Sequence, residues 1–148
     1  MTGGQVDLGE LCALPSCPDG WSVVDTICYL LGTDTMTADE AITFCDGESG
    51  ISLELESQAE LDALVAKIAA DGRGSDHFWL GITDAAVEGE WLSQSSSSPV
   101  GFTNWQSGSG EPNGGTGSAC ARMANGGSFK DTSCTTDYFP LCKQGKKH

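Results

Sequence analysis

The side chains with the most chemistry to offer are seven cysteines, at positions 12, 17, 28, 45, 120, 134 and 142. No pair is spaced C-x-x-C, and the closest pairs are Cys12/Cys17 and Cys134/Cys142. His77 and His148 have no partner at ligand spacing, so a zinc–thiolate centre is a weak reading. So many cysteines in 148 residues fit an oxidising compartment, and the chain is expected to be secreted and extracellular. Cysteine spacing by itself leaves the pairing open. The glycine-rich run Gly108-Ser-Gly-Glu-Pro-Asn-Gly114 lacks the lysine and following helix of a phosphate loop, and Glu111 would repel phosphate. Standing alone, Glu111-Pro112-Asn113 would be a turn. No histidine is placed to activate a nucleophile, so no enzymatic activity is expected.

With 21 acidic residues against 7 basic ones, the net charge is −14. That balance argues against nucleic acid, which needs a basic surface, and is compatible with cation binding. No apolar window approaches transmembrane length, so no membrane insertion is expected. The N-terminus has no signal-peptide apolar region, so a secreted protein of this sequence would be a mature or engineered form. The opening Met1-Thr2-Gly3-Gly4-Gln5 is tag-like. No Asn-x-Ser/Thr sequon occurs.

These residues must be positioned by a small set of elements. Cys17 to Leu31 carries a Pro-Asp-Gly turn and β-branched residues, and reads as a hairpin. Thr37 and Glu40 form a capping box for a short helix whose apolar stripe includes Ala41, Phe44 and Cys45. Ser57 and Glu60 repeat the signal, with Leu61, Leu64, Val65 and Ile68 at helical spacing and Asp71-Gly72 as the stop. Phe78 to Ile82 reads as a buried strand. From Asp84 to Ala119 there is little periodicity, as in a long functional loop, and Trp91, Phe102 and Trp105 are its expected anchors. Short cysteine-bearing strands close the chain. The class is α+β: two helices with antiparallel sheets.

Taken together, Cys17…Cys28, Cys45, Trp79-Leu80-Gly81-Ile82, Glu88-Gly89-Glu90-Trp91, Asn104-Trp105, Glu111-Pro112-Asn113, Cys120, Cys134 and Cys142 closely resemble the long-form C-type lectin-like domain. The resemblance runs from about residue 17 to residue 143. It leaves 1–16 as an N-terminal extension and 144–148 as a tail. It implies disulfides Cys17–Cys28, Cys45–Cys142 and Cys120–Cys134. Cys12 is left over, as an inert thiol or as the link of a covalent homodimer.

The resemblance also implies a sugar site. In sugar-binding members calcium is held by side-chain oxygens, and two vicinal hydroxyls of the glycan complete its shell. Glu111, Asn113 and Asp131 match the ligands, and Glu111-Pro112-Asn113 resembles the motif favouring mannose and N-acetylglucosamine. Where the family has Trp-Asn-Asp, this chain has Phe129-Lys130-Asp131, and a usual acidic ligand is replaced by Ser118. One carboxylate fewer and one ammonium more would weaken calcium. Three mechanisms follow: a weak calcium on Glu111, Asn113 and Asp131; Lys130 standing in for the ion, so that Glu111, Asn113, Lys130 and Asp131 bind sugar without metal; or another divalent ion such as Zn2+. Asp84 and Glu88 match part of an auxiliary metal site, though as a lone pair they read more simply as solvated loop acids. His77 reads as a solvated surface histidine.

The function expected from the resemblance is a secreted lectin of innate defence. It would recognise mannose- or N-acetylglucosamine-type glycans on microbial surfaces, with possible agglutination and weakened or altered metal dependence. Alternatives are a protein-binding module of the same fold that has lost calcium-dependent sugar binding, and an ice-binding or mineral-associated member.

Overall fold

A computed structural model describes residues 17–105 and 118–144. The expected hairpin is β1 (Ser22–Val24) and β2 (Ile27–Leu31), paired antiparallel with Val23 opposite Cys28. Helix α1 (Ala38–Gly47) starts at the full capping box: Thr37 accepts from the Glu40 backbone N–H, and Glu40 accepts from the Thr37 N–H at 2.9 Å. A short strand β3 (Gly50–Ser52), not legible in the sequence, precedes helix α2 (Gln58–Ala70). Strand β4 (Phe78–Thr83) follows, then the two-residue β5 (Leu92–Ser93), β6 (Cys120–Met123), β7 (Phe129–Thr132) and β8 (Leu141–Gln144).

The strands form two four-stranded sheets, ordered β1-β2-β8-β3 and β5-β4-β6-β7. Their pairings are antiparallel throughout. Backbones of the two sheets meet at Gly81, whose N–H donates to the Leu53 carbonyl. A Cβ at Gly81 would lie 2.4 Å from the Ser52 carbonyl oxygen, so only glycine allows this contact. The central core gathers Leu61, Leu64 and Ile68 of α2 against Phe78, Leu80, Ile82, Met123 and Phe129 of the second sheet, with Leu141 of β8. A smaller cluster sets Ala38 and Ala41 of α1 against Trp79 and Cys120. Among the described residues the disulfides are Cys17–Cys28, Cys45–Cys142 and Cys120–Cys134, as the resemblance implied. Cys45–Cys142 spans 97 residues, and in the chain-entropy view it stabilises by about 4–5 kcal/mol.

At the second helix the cap departs from expectation. Ser57 accepts from the Glu60 N–H at 3.1 Å, but the Glu60 carboxylate does not close a box on Ser57. It accepts instead from the Glu56 N–H at 2.8 Å and from the Tyr29 hydroxyl at 2.5 Å. It also meets the Lys143 ammonium at 2.8 Å. Lys143 is 3% exposed and donates to the Glu54 carbonyl at 2.9 Å. A buried ammonium is tolerable only with such a partner, so Glu60 is drawn inward. Burial, and then the hydrogen bond and charge of Glu60, raise the Tyr29 phenol far above its ordinary range.

Glu60→Gln would leave the Lys143 ammonium only the exposed Glu56 carboxylate at 3.7 Å, and it is expected to cost about 3 kcal/mol in urea unfolding. The double variant Glu60→Gln/Lys143→Met is expected to recover most of that loss, because neither charge is then left buried alone.

Candidate functional site

The root of the long loop is built around one buried carboxylate. Asp84 follows β4 and is 3% exposed. Its backbone N–H donates to the Ala119 carbonyl at 3.1 Å, and its Oδ2 accepts from the Gly89 N–H at 2.8 Å. Gly89 has φ +86°, a conformation that a side chain would strain, so the turn that wraps Asp84 depends on glycine here. Asp84 Oδ1 is buried and has no hydrogen-bond partner among the described residues. Asp84 is therefore no solvated acid, which corrects the simpler reading of the sequence for this residue. Glu88 is exposed.

Asp131 joins the same region from β7, opposite Ala121. The Glu88 carboxyl is pushed above its ordinary range, first by desolvation and then by the charges of Asp84 and Asp131 and a hydrogen bond with Asp84. Three carboxylates thus share one electrostatic neighbourhood at the end of the second sheet. Among the described residues, however, no three Asp, Glu, His or Cys side chains form a group that could hold a metal ion. Glu111, Asn113 and the leftover Cys12 lie outside the described residues. Ser118, which replaces a carboxylate, stands partly buried two residues before Cys120.

Aromatic packing holds the described part of the loop in place. Trp91 and Trp105 lie 4.9 Å apart, and Trp105 and Phe102 meet Phe129 edge-on at 6.0 and 6.2 Å. Asn104 accepts at its carbonyl from the Phe129 N–H, and its side chain donates to the Gly127 carbonyl at 2.9 Å. The three tryptophans Trp79, Trp91 and Trp105 pack into or against the core, as anticipated.

Lys130 is separated from Asp131 by strand geometry. Successive strand residues project to opposite faces. Phe129 of β7 is in the central core, and Lys130 pairs across β6 with Arg122. Arg122 Nη1 bonds His77 Nδ1 at 2.9 Å, and its guanidinium lies 5.2 Å from the centre of the Tyr138 ring. The charge of Lys130 is felt at His77, whose imidazole is held below its ordinary value by desolvation first and then by Arg122 and Lys130. His77 is thus half-buried and engaged, not the solvated histidine that its polar sequence neighbours suggested. Nothing in its local sequence signals Arg122, which lies 45 positions away.

The family assignment rests on this framework and on comparison. The Lectin C-type domain pattern matches residues 34–144, and the chain belongs to that family. It is 33% identical over 133 residues to human C-type lectin domain family 17, member A, covering 90% of this chain and 33% of that protein. It is 27% identical to a perlucin-like protein of Mytilus galloprovincialis, covering 87% of this chain and 83% of that one. The chain spans about a third of the length of the human relative, and 36% of a mouse low affinity immunoglobulin epsilon Fc receptor. Among solved structures, the carbohydrate-recognition domain of mouse scavenger receptor C-type lectin superposes with a TM-score of 0.76 at 25% identity, covering 89% of this chain and 98% of that one. The cow CD23 domain, solved in the presence of a GlcNAc2Man3 oligosaccharide, gives 0.76 at 26% identity over 90% and 98% of the two chains. The family is a carbohydrate-binding class. No described helix is long and apolar enough to cross a membrane.

The carboxylate neighbourhood makes a direct prediction. Asp84→Asn removes one of the charges that raise Glu88, so the Glu88 carboxyl should titrate closer to its ordinary value. Carbon-13 NMR of the side-chain carboxyls checks this, and an unchanged titration would mean that desolvation and the Asp131 charge set it without Asp84.

Proposed function

We propose that this lectin domain binds mannose- or N-acetylglucosamine-type glycans through a weakly held calcium ion, with Glu111, Asn113 and Asp131 as ligands. Asp84 and Glu88 would contribute to an auxiliary cation. The observation that carries the reading is the Asp84 carboxylate, 3% exposed with Oδ1 unpartnered, beside Glu88 and in a field that includes Asp131. Like charges brought together repel one another unless a cation offsets them, and all the donors are oxygens, which suits a hard ion. Bound calcium supplies open coordination positions for two vicinal sugar hydroxyls. The carboxylates of Glu111 and Asp131 would accept hydrogen bonds from those hydroxyls, and the Asn113 amide would donate to them.

The placement of Lys130 opposite Arg122, with its charge acting on His77, supports this metal-dependent reading over one in which Lys130 stands in for the ion. Zinc has little support, since His77 is bonded to Arg122 on the other face. The neighbour solved in the presence of a GlcNAc2Man3 oligosaccharide supports a mannose- and N-acetylglucosamine-type ligand. Secretion, microbial glycans as the target and dimerisation through Cys12 belong to the same proposal. Of these, secretion is supported by the cysteine content and the disulfides.

Isothermal titration of metal-stripped protein tests the reading. Calcium is expected to bind with a Kd on the order of 0.1–1 mM, tightening when mannose or N-acetylglucosamine is added. Asp131→Asn should abolish the sugar-linked tightening, and Asp84→Asn should weaken calcium while leaving the fold intact. Sugar binding that persists in chelator would overturn the metal-dependent mechanism. Absence of both heats would move the assignment to the alternative, a protein-binding module of the same fold.

A further inference from the structure

A second, chemically opposite site lies on the face of the second sheet that also carries Trp79 and Cys120. There His77, Arg122, Lys130 and Tyr138 come together in a chain of net charge −14. Arg122 of β6 and Lys130 of β7 are cross-strand partners, so their side chains share a face. Arg122 bonds His77 at 2.9 Å and lies over the Tyr138 ring at 5.2 Å, and the His77 and Tyr138 rings are 5.9 Å apart. The Tyr138 hydroxyl meets Thr132 Oγ1 at 3.4 Å, on the same face of β7 as Lys130. The carboxylate felt at His77 is Asp76, and it is already bonded to Arg73 at 2.9 Å. Among the described residues, no carboxylate forms an ion pair with Arg122 or Lys130.

The guanidinium is also incompletely used. Arg122 Nη1 is committed to His77, while its buried Nε has no hydrogen-bond partner among the described residues. An Nδ1 that accepts from a guanidinium carries its ring proton on Nε2, which leaves His77 a further donor. Two cations with no ion pair among the described residues, an imidazole donor and a phenol hydroxyl therefore come together here. Packing Arg122 between His77 and Tyr138 fixes the guanidinium and reduces the ordering needed to bind.

We propose that this cradle binds a tetrahedral oxyanion, the sulfate or phosphate group of an ester. Arginine with unused fork capacity matches such oxygens by charge-assisted hydrogen bonds, and Lys130 adds a mobile point charge. The inference does not depend on the calcium site, since Lys130 and Asp131 project to opposite faces of β7. The overall negative charge repels anions, so saturable binding of one requires a local cradle.

The test is a two-dimensional NMR titration of the full, metal-stripped chain, at low ionic strength and without chelator, which is itself an anion. The probes are inorganic sulfate, inorganic phosphate and N-acetylglucosamine 6-sulfate, with unsulfated N-acetylglucosamine as control. Saturating shifts at His77, Lys130 and the Arg122 Nε–H are expected with the anions. Lys130→Gln, which removes a partly exposed side chain, should weaken binding about fivefold, and Arg122→Lys should weaken it further. Tighter binding of the sulfated sugar than of free sulfate would assign the site to esters carried on saccharides, and equal binding to free anions. No saturable shift, equal affinity in Lys130→Gln, or the same shifts with the neutral sugar would each overturn the proposal.

Discussion

The return of the last strand to the middle of the first sheet is the constraint on which the rest of the molecule depends. β8 lies between β2 and β3, so that sheet cannot close until the C-terminal end of the domain comes back to its beginning. Three interactions hold it there. Cys142 is bonded to Cys45 of α1, Leu141 enters the central core, and Lys143 is neutralised by Glu60. The last of these is the most specific. An apolar strand could slide, but a buried ammonium has a single low-energy position, against Glu60 and the Glu54 carbonyl.

Closing the chain on itself leaves the region between β4 and β6 with only the two-residue β5 in a sheet. The long loop leaves and re-enters beside β4, where Thr83 and Asp84 both reach the Ala119 carbonyl. Its described part is steadied by the two-residue β5 on β4, the Trp91–Trp105–Phe129 packing and the Asn104 bonds. A rigid rim with carboxylates at its base suits recognition by coordinating oxygens, because the ligand need not pay to order the scaffold.

Charge is sorted by the pleat of one strand. β7 carries Phe129 into the core and sets Asp131 in the field of Glu88, while Lys130, between them, faces Arg122. In linear sequence Lys130 and Asp131 are neighbours, and adjacency suggests that they share a site. The period-two geometry separates them and yields an acidic region and a basic cradle from consecutive residues.

Much of the scaffold was legible because its signals are local. The Thr37–Glu40 box, the apolar spacing of Leu61, Leu64 and Ile68, and the hydrophobic run from Phe78 each act within a few residues. The β1–β2 hairpin was equally readable. β3 was not, because three residues carry no usable periodicity and gain strand form only by pairing with β8. The Ser57–Glu60 box was half right: the serine caps, but Tyr29 and Lys143 from distant strands claim the glutamate.

The same division runs through the candidate sites. The amino-acid sequence by itself determined the fold class, the family resemblance and the oxygen-rich residues Asp84, Glu88, Glu111, Asn113 and Asp131, since residue type and order carry that information. Only the tertiary structure decided that Asp84 is buried with an unpartnered oxygen, that His77 is tied to Arg122, and that Lys130 faces away from Asp131. Burial and cross-strand pairing arise from contacts between residues far apart in the chain. No local pattern encodes such contacts.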